Sequence, residues 1–542
     1  MTIPILNIDY LTFLLVAPAL AGFALLLLPD NDTLQRWMAL LFSSLIGVYS
    51  IFIFYAYSGM SGVDGYVFEV SYPWFSAIGA NWHLGIDGIS AAMILLTGIL
   101  VPLAVLVSFE VHEGVKMHMA LLLFFQIGLF GVFVALDLMI FFLFYELSLV
   151  PIYFLIKQWG GSNRLYASTK FFIYSMGGSL GMLLATQLIG WSMSLTEVGT
   201  PTFDMTLINQ YWPLLREGET FLGQPVGTIK TLAFIGFFVA FSIKVPVWPF
   251  HTWLPDAHSE APTAGSMLLA GVMLKLGAYG FLRLVIPFFP DVWIREYSLL
   301  GAATFTPAEL FALLAMLGVV LGALAAFGQN DIKRLVAYSS VNHMGFVAMG
   351  LAVTAVAYGH AFMDGALDDA MMGHAIIATN GAVLQMFNHG LSSAGMFLLA
   401  GAIYHKTHTR DMTQYGGLWV KAPVYGSIFI FTSMASLGLP GLNGFVSEFL
   451  VVRGAFPVFT WLTVFSMIGL LFTGSYILKG IRAVLHGPFN MRWQDTRLEL
   501  ELNELVAIAP LMVLMLLTGL APNWILAIIN GSVTQMLIGL IG

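Results

Sequence analysis

Six side chains set in otherwise apolar stretches of this sequence could take up and release protons, and all six are of types that seldom enter such stretches. Glu146 follows Phe141-Phe142-Leu143-Phe144-Tyr145. Lys244 closes Phe241-Ser242-Ile243 just before Pro246, and Lys275 interrupts an apolar run that begins at Leu268. Glu448 follows Gly444-Phe445-Val446-Ser447, and His343 and His389 each come directly after an asparagine. In a medium of low polarity a carboxylate and an ammonium each resist ionisation alone and favour it in the other. A Glu–Lys pair that opens and closes, Glu146 with Lys244 for example, is therefore a proton site with two affinities. At about 4 Å and an effective dielectric of about 20 such a pair is worth roughly 4 kcal/mol. Moving a proton against about 200 mV costs roughly 4–5 kcal/mol, so the two are matched. Histidines between such groups can relay protons near neutral pH.

Each of these residues also has a plain structural reading. Glu146 and Lys244 could clip two helices together, the histidines could be satisfied by neighbouring hydroxyls, and Glu448 could lie at a solvated boundary. Lys275 has no acidic neighbour in sequence, which makes a purely structural role hardest to supply there. His251, Asp256, His258 and Glu260 form a second polar cluster, and an inner-side proton entrance or a capped connection suits them better than a metal. His405 and His408 stand three apart with no further ligand nearby, so the expectation is no metal site and no cofactor site in this chain.

Lipid must surround the elements that position these groups. Hydrophobic residues make up 59% of the 542 positions and charged ones 9%, against about 45–50% and about 25% in soluble domains. The mean hydropathy is +0.87. No cysteine is present, which excludes disulfides and cysteine-ligated clusters within this chain. No two glycines stand two apart, so the GxGxxG dinucleotide fingerprint is absent, as is a GxxxxGK[ST] phosphate loop. Energy must then come from a partner or an ion gradient. No run of like charge suggests nucleic acid. The first basic residue is Arg36, so the apolar stretch after Asp9 reads as a retained span rather than a signal peptide.

A helix crossing the bilayer needs about 20 apolar residues. That window predicts an all-α polytopic membrane protein with about fourteen spans, near 10–28, 37–57, 86–108, 117–134, 136–156, 168–191, 229–249, 263–289, 309–327, 333–356, 380–402, 425–450, 460–479 and 504–526. With both termini outside, fourteen of the twenty-one basic residues fall on the inner side, the bias expected of a correct span count. Arg216, Lys230, Arg283, Arg295 and Arg453 are left outside. Segments 58–85 and 192–228 read as outer lids and 357–379 as a further outer loop, all within one membrane domain, 1–542.

Spans seven and twelve carry breakers, Pro246 and Pro249 in one and Gly438, Pro440 and Gly441 in the other. Proline frees backbone groups at depth, which a membrane tolerates only where protein or water satisfies them. The breaks are five spans apart, and a tandem unit of five must invert. Spans 4–8 and 9–13 thus read as two inverted five-helix repeats, each with a broken helix.

Three stretches carry a family resemblance: Pro249-Phe-His-Thr-Trp-Leu-Pro-Asp-Ala-His-Ser-Glu-Ala-Pro-Thr-Ala-Gly-Ser-Met, Arg334-Leu-Val-Ala-Tyr-Ser-Ser-Val-Asn-His-Met-Gly-Phe and Gly438-Leu-Pro-Gly-Leu-Asn-Gly-Phe-Val-Ser-Glu. They resemble the antiporter-like subunits of respiratory complex I, which are similar in turn to the large subunits of Mrp-type antiporters. Glu448 and the chain length make the M-type (chain 4) branch the best match. The resemblance implies a hydrophilic axis of Glu146 with Lys244, then Lys275, His343 and His389, then Glu448. It also implies a proton-pumping role in an NADH-quinone oxidoreductase whose partner subunits carry NAD, FMN, iron–sulfur clusters and quinone. Neighbouring antiporter-like subunits are the implied partners and a bacterial inner membrane the implied location. A sodium/proton antiporter subunit is the alternative, and a membrane scaffold with packed charges a third reading.

Overall fold

Apolar runs without breakers become helices here, and polar or glycine-rich joints end them. The computed structural model describes residues 2–3, 8–60, 65–299, 303–365 and 367–539. Helices of eight residues or more are, in order, α1 Tyr10–Leu27, α2 Asp32–Ser58, α3 Gly88–Val107, α4 Val115–Val134, α5 Leu138–Leu147, α6 Leu149–Trp159 and α7 Arg164–Ser192. There follow α8 Val226–Lys244, α9 Trp253–Glu260, α10 Thr263–Phe288, α11 Pro307–Phe327, α12 Ile332–Asp364 and α13 Asp369–Thr407. The chain closes with α14 Pro423–Leu437, α15 Asn443–Ala455, α16 Thr460–Leu485, α17 Leu502–Leu520 and α18 Asn523–Ile538. Among the described residues, twelve helical segments are long and apolar enough to cross a membrane. Helix α13, with Asn380, Gln385, Asn388 and His389 along it, and the short pair α14 and α15 fall outside that measure.

Both expected breaks are present. Helix α8 stops at Lys244 and α9 starts at Trp253, with Pro246 and Pro249 between them. The Ile243 carbonyl freed there accepts the buried Trp253 indole N–H at 2.9 Å, so that carbonyl is not stranded. Helix α14 stops at Leu437, where Gly438 takes φ +83°, and α15 restarts at Asn443. The positive φ suits glycine alone without strain.

Three sequence expectations need correction. Segment 357–379 is helical except at its centre, because Ala and Met sustain a helix beyond the apolar window. Gly365 at φ +70° follows the end of α12, and the Asp368 carboxylate caps α13 by accepting from the Met371 N–H at 2.6 Å. The last span, expected over 504–526, ends at Leu520, and Pro522 starts a separate C-terminal helix, α18. Lys230 and Arg283, counted among the outer-side charges although they stand at the ends of spans 229–249 and 263–289, are buried within helices.

The segment read as a first lid holds an antiparallel hairpin, β1 Val67–Phe75 and β2 Ala80–Ile86; part of that segment, 61–64, lies outside the described residues. The hairpin is stitched to the start of α5, where Asp137 accepts the Asn81 N–H at 3.0 Å. His83 sits between Asp204 at 2.9 Å and Glu69 at 2.8 Å. Burial opposes its charge, the two carboxylates outweigh burial, and its pKa is raised.

Helices α13 and α15 meet backbone to backbone. A Cβ on Gly381 would lie 2.6 Å from the Val451 nitrogen, and one on Gly454 would lie 2.6 Å from the Ala378 nitrogen. Gly381→Ala is therefore expected to lose about 1–3 kcal/mol through overpacking, although alanine favours helix. Thermal unfolding in detergent reads the effect. A midpoint at or above that of the unaltered protein would show that the two helices have room to part.

Candidate functional site

Helix α10 is buried along its membrane-length window and has an unusual backbone. Two wide π turns, Leu269–Met273 and Phe281–Val285, bracket a regular stretch, Leu274–Gly280, that carries Lys275. Such turns re-aim side chains and recur at functional positions. Here the first turn presents the Ala270 carbonyl to Lys275 Nζ at 2.5 Å. Lys275 is wholly buried, and its second partner is His389 Nδ1 at 2.8 Å. With the ammonium donating, His389 Nδ1 accepts and Nε2 carries the proton, facing Ser340 Oγ at 3.2 Å. Glycines permit this contact between α10 and α13: a Cβ on Gly390 would meet the Gly271 carbonyl oxygen at 2.8 Å.

His343 lies on α12 three residues after Ser340, on the same helix face. Its ring centroid is 5.7 Å from that of His389. Its Nδ1 is 2.7 Å from Glu448 Oε1, and its Nε2 is 3.3 Å from the Tyr476 hydroxyl. Glu448, on α15 just past the second break, is buried. Gln385 Nε2 donates to the same Glu448 oxygen at 2.9 Å, and Ser447 Oγ donates to Gln385 Oε1 at 2.5 Å. Asn388 and Asn443 each donate to the other's backbone carbonyl, at 2.8 and 3.0 Å, fastening the first turn of α15 to α13. Lys275, His389, Ser340, His343 and Glu448 thus stand in one buried row across three helices and the broken fourth. Every group in it can give or accept a proton or orient one that does.

The other two residues of the sequence set stand together but apart from that row. Glu146 is half-buried on α5, and Ser179 of α7 and the Lys244 ammonium act on its carboxylate. Lys244 and Glu146 form no ion pair within 4.0 Å; the ammonium instead sits 4.5 Å from the Tyr145 ring centroid. A charge over an aromatic face is favourable without fixing the amine to one acceptor. The two charges influence each other through space.

The polar segment 251–260 is dispersed into separate contacts instead of forming one ligand set. Asp256 pairs with Lys170 at 2.7 Å and with Arg334 at 3.1 Å, and Glu260 pairs with Arg410 at 3.2 Å. His258 lies flat on the Phe397 ring, centroids 4.3 Å apart. His405 pairs with Glu110 at 3.0 Å. Among the described residues no three His, Cys, Asp or Glu side chains gather as a metal would need.

Residues 135–473 match the model of the NADH:quinone oxidoreductase/Mrp antiporter transmembrane family. The chain is 38% identical over 535 residues to NADH-quinone oxidoreductase subunit M of Pseudomonas aeruginosa, covering 96% of each. It is 38% identical over 503 residues to subunit M of Escherichia coli K12, covering 91% of this chain and 90% of that one. The chain belongs to this family. A chain of respiratory complex I from Thermus thermophilus superimposes with a TM-score of 0.81 at 27% identity, covering 98% of this chain and 100% of that one. The Mrp complex from a Dietzia species shares the fold, with a TM-score of 0.74 at 20% identity. The chain is thus similar to complex I subunits of the M type, and its membrane-length helices make it a multi-pass membrane protein.

Sequence reasoning missed Ser340, Gln385 and Tyr476, the neutral partners of the row. Gln385 carried a usable signal, standing four residues before His389 on one helix face. Tyr476 carried none, because an aromatic in an apolar span is ordinary. The buried pair of Arg283 and Asp87 was also missed: the first was counted only as an outer-side charge and the second went unread.

Proposed function

We propose that this chain is the M-type (chain 4) proton-translocating subunit of an NADH-quinone oxidoreductase, moving protons through its own side chains while partner subunits carry out the redox chemistry. Those partners would hold NAD, FMN, iron–sulfur clusters and quinone, and the membrane would be a bacterial inner membrane with both chain termini outside. The path runs from Glu146 and Lys244 to Lys275, and then by His389 and His343 to Glu448. What carries this reading is the buried row in which Lys275 touches His389 and His343 touches Glu448. A scaffold needs its buried charges fully paired. Lys275 instead meets a carbonyl and an imidazole, which leave it able to release its proton. The breaks beside Lys244 and before Glu448 suit two inverted repeats working against each other.

Glu146→Gln tests the first step. The neutral amide keeps the shape but cannot trade charge with Lys244, so proton pumping in vesicles is expected to fall by roughly tenfold or more. Glu146→Asp, which keeps the charge and loses reach, should be milder. Unchanged pumping by Glu146→Gln in a complex of normal subunit content would remove the pair from the path. A sodium/proton antiporter subunit is the remaining alternative, and isolation of the native complex decides between them. Co-migrating flavin and iron–sulfur subunits support the oxidoreductase.

A further inference from the structure

Beyond Lys275, the same face of α10 continues as a polar column toward the end of the helix that meets the hairpin. Tyr279 lies one turn on, buried, with its hydroxyl 2.8 Å from Ser90 Oγ of α3 and donating to the Phe133 carbonyl at 3.1 Å. Arg283 lies a further turn on, its guanidinium 5.2 Å from the Tyr279 ring centroid and 5.9 Å from that of Tyr66. It is ion-paired to Asp87, the residue joining β2 to α3. Asp87 also caps α3, accepting from the Ile89 and Ser90 N–H groups at 3.1 and 3.0 Å. The next residue, Gly88, donates its N–H to Ser532 of α18 at 2.7 Å, so the C-terminal helix braces the same corner. A hydroxyl column leading from a buried lysine toward the membrane boundary is a route a proton could follow. What stands in it is a cation that never gives up its proton.

We propose that Arg283, held in place by Asp87, is the electrostatic barrier that closes Lys275 off from the hairpin face of the membrane. The inference rests on Lys275 being part of the proton path. Arginines in channel constrictions exclude protons through their fixed charge, and the effect is strongest in a dry surrounding. Burial in an ion pair fits that role, because a carboxylate alone at this place would accept a proton and pass it on. Asp87 pairs with the guanidinium through Oδ1, and the same oxygen also accepts from the α3 amides. The barrier makes transport directional: protons on Lys275 leave through His389, not along Tyr279 and Ser90.

The test uses the whole complex in proteoliposomes, with a pH-sensitive dye inside and decay of the proton gradient followed after electron input stops. Removing one partner of a buried pair destabilises strongly, whereas replacing both does not. The main variant is therefore Arg283→Met with Asp87→Asn, asparagine being an equally good cap; Arg283→Gln with Asp87→Asn stands in should the first fail to assemble. The gradient is expected to decay about tenfold faster or more, each 1.4 kcal/mol of barrier removed being a factor of ten in rate. Adding Lys275→Ala to the double variant should reseal the gradient. A double variant as tight as the unaltered complex overturns the barrier, and so does one that is tight but no longer pumps, since the pair would then carry protons rather than bar them. If Lys275→Ala alone pumps normally, the underlying path fails. If it blocks pumping while the double variant stays tight, only the barrier fails.

Discussion

Lys275→Arg is expected to stop proton pumping almost as completely as Lys275→Ala, with the assembled complex intact in both. Among the described residues Lys275 hydrogen-bonds to neutral groups, the Ala270 carbonyl and His389 Nδ1, and no carboxylate pairs with it. Arginine would keep the charge but could not release its proton, and its planar fork cannot take the place of a compact ammonium between a carbonyl and an imidazole. Alanine removes both proton and charge. If the lysine served only to hold α10 against α13, arginine would preserve function better than alanine. Proton uptake by vesicles, with subunit content checked on native gels, separates the two cases, and a fall of roughly tenfold or more for arginine is expected. Near-normal pumping by Lys275→Arg would take Lys275 out of the path.

The second large effect is expected at Glu448. Glu448→Gln preserves shape but removes the only group in the row that can carry a negative charge opposite His343, 2.7 Å away. A protonated His343 would then face a neutral amide in a buried site, and transfer past it should drop roughly tenfold or more. Gln385 sharpens the reading, because it donates to the same Glu448 oxygen and is fixed in that orientation by Ser447. Gln385→Leu leaves Glu448 chemically intact but removes one of its two buried donors, so pumping should weaken and its pH profile should move. A pH profile unmoved by Gln385→Leu, together with full pumping by Glu448→Gln, would leave the row without its last member.

The sequence made the charged members of the site visible because charge in an apolar stretch is costly and therefore rare. Glu146, Lys244, Lys275 and Glu448 stood out for that reason alone. Their neutral partners did not, since Ser340, Gln385 and Tyr476 are of types that spans accept freely. The two breaks were legible from Pro246 and from the Gly438–Gly441 run, whose backbone constraints act locally. Where hydropathy and helix propensity part company, hydropathy misled: at 357–379 the apolar window ended but the helix did not. Arg283 was counted as an outer-side charge because it stands near the end of a span, and nothing local announces Asp87 as its partner. The wide turns of α10 left no mark either, since Leu-Ala-Gly-Val-Met is ordinary helix composition.

Those wide turns impose a constraint that no single substitution tests. A wide turn holds more residues than the regular coil around it, and each residue turns a helix by about 100°. Removing one residue from Leu269–Met273 would therefore keep every side chain of the proposed path but leave a regular turn, which would not present a carbonyl to Lys275 as Ala270 now does. Relatives that differ in length within this segment would then differ in connectivity while agreeing in every titratable group. On the proposed path, the number of residues before the lysine in α10 matters as much as the lysine itself.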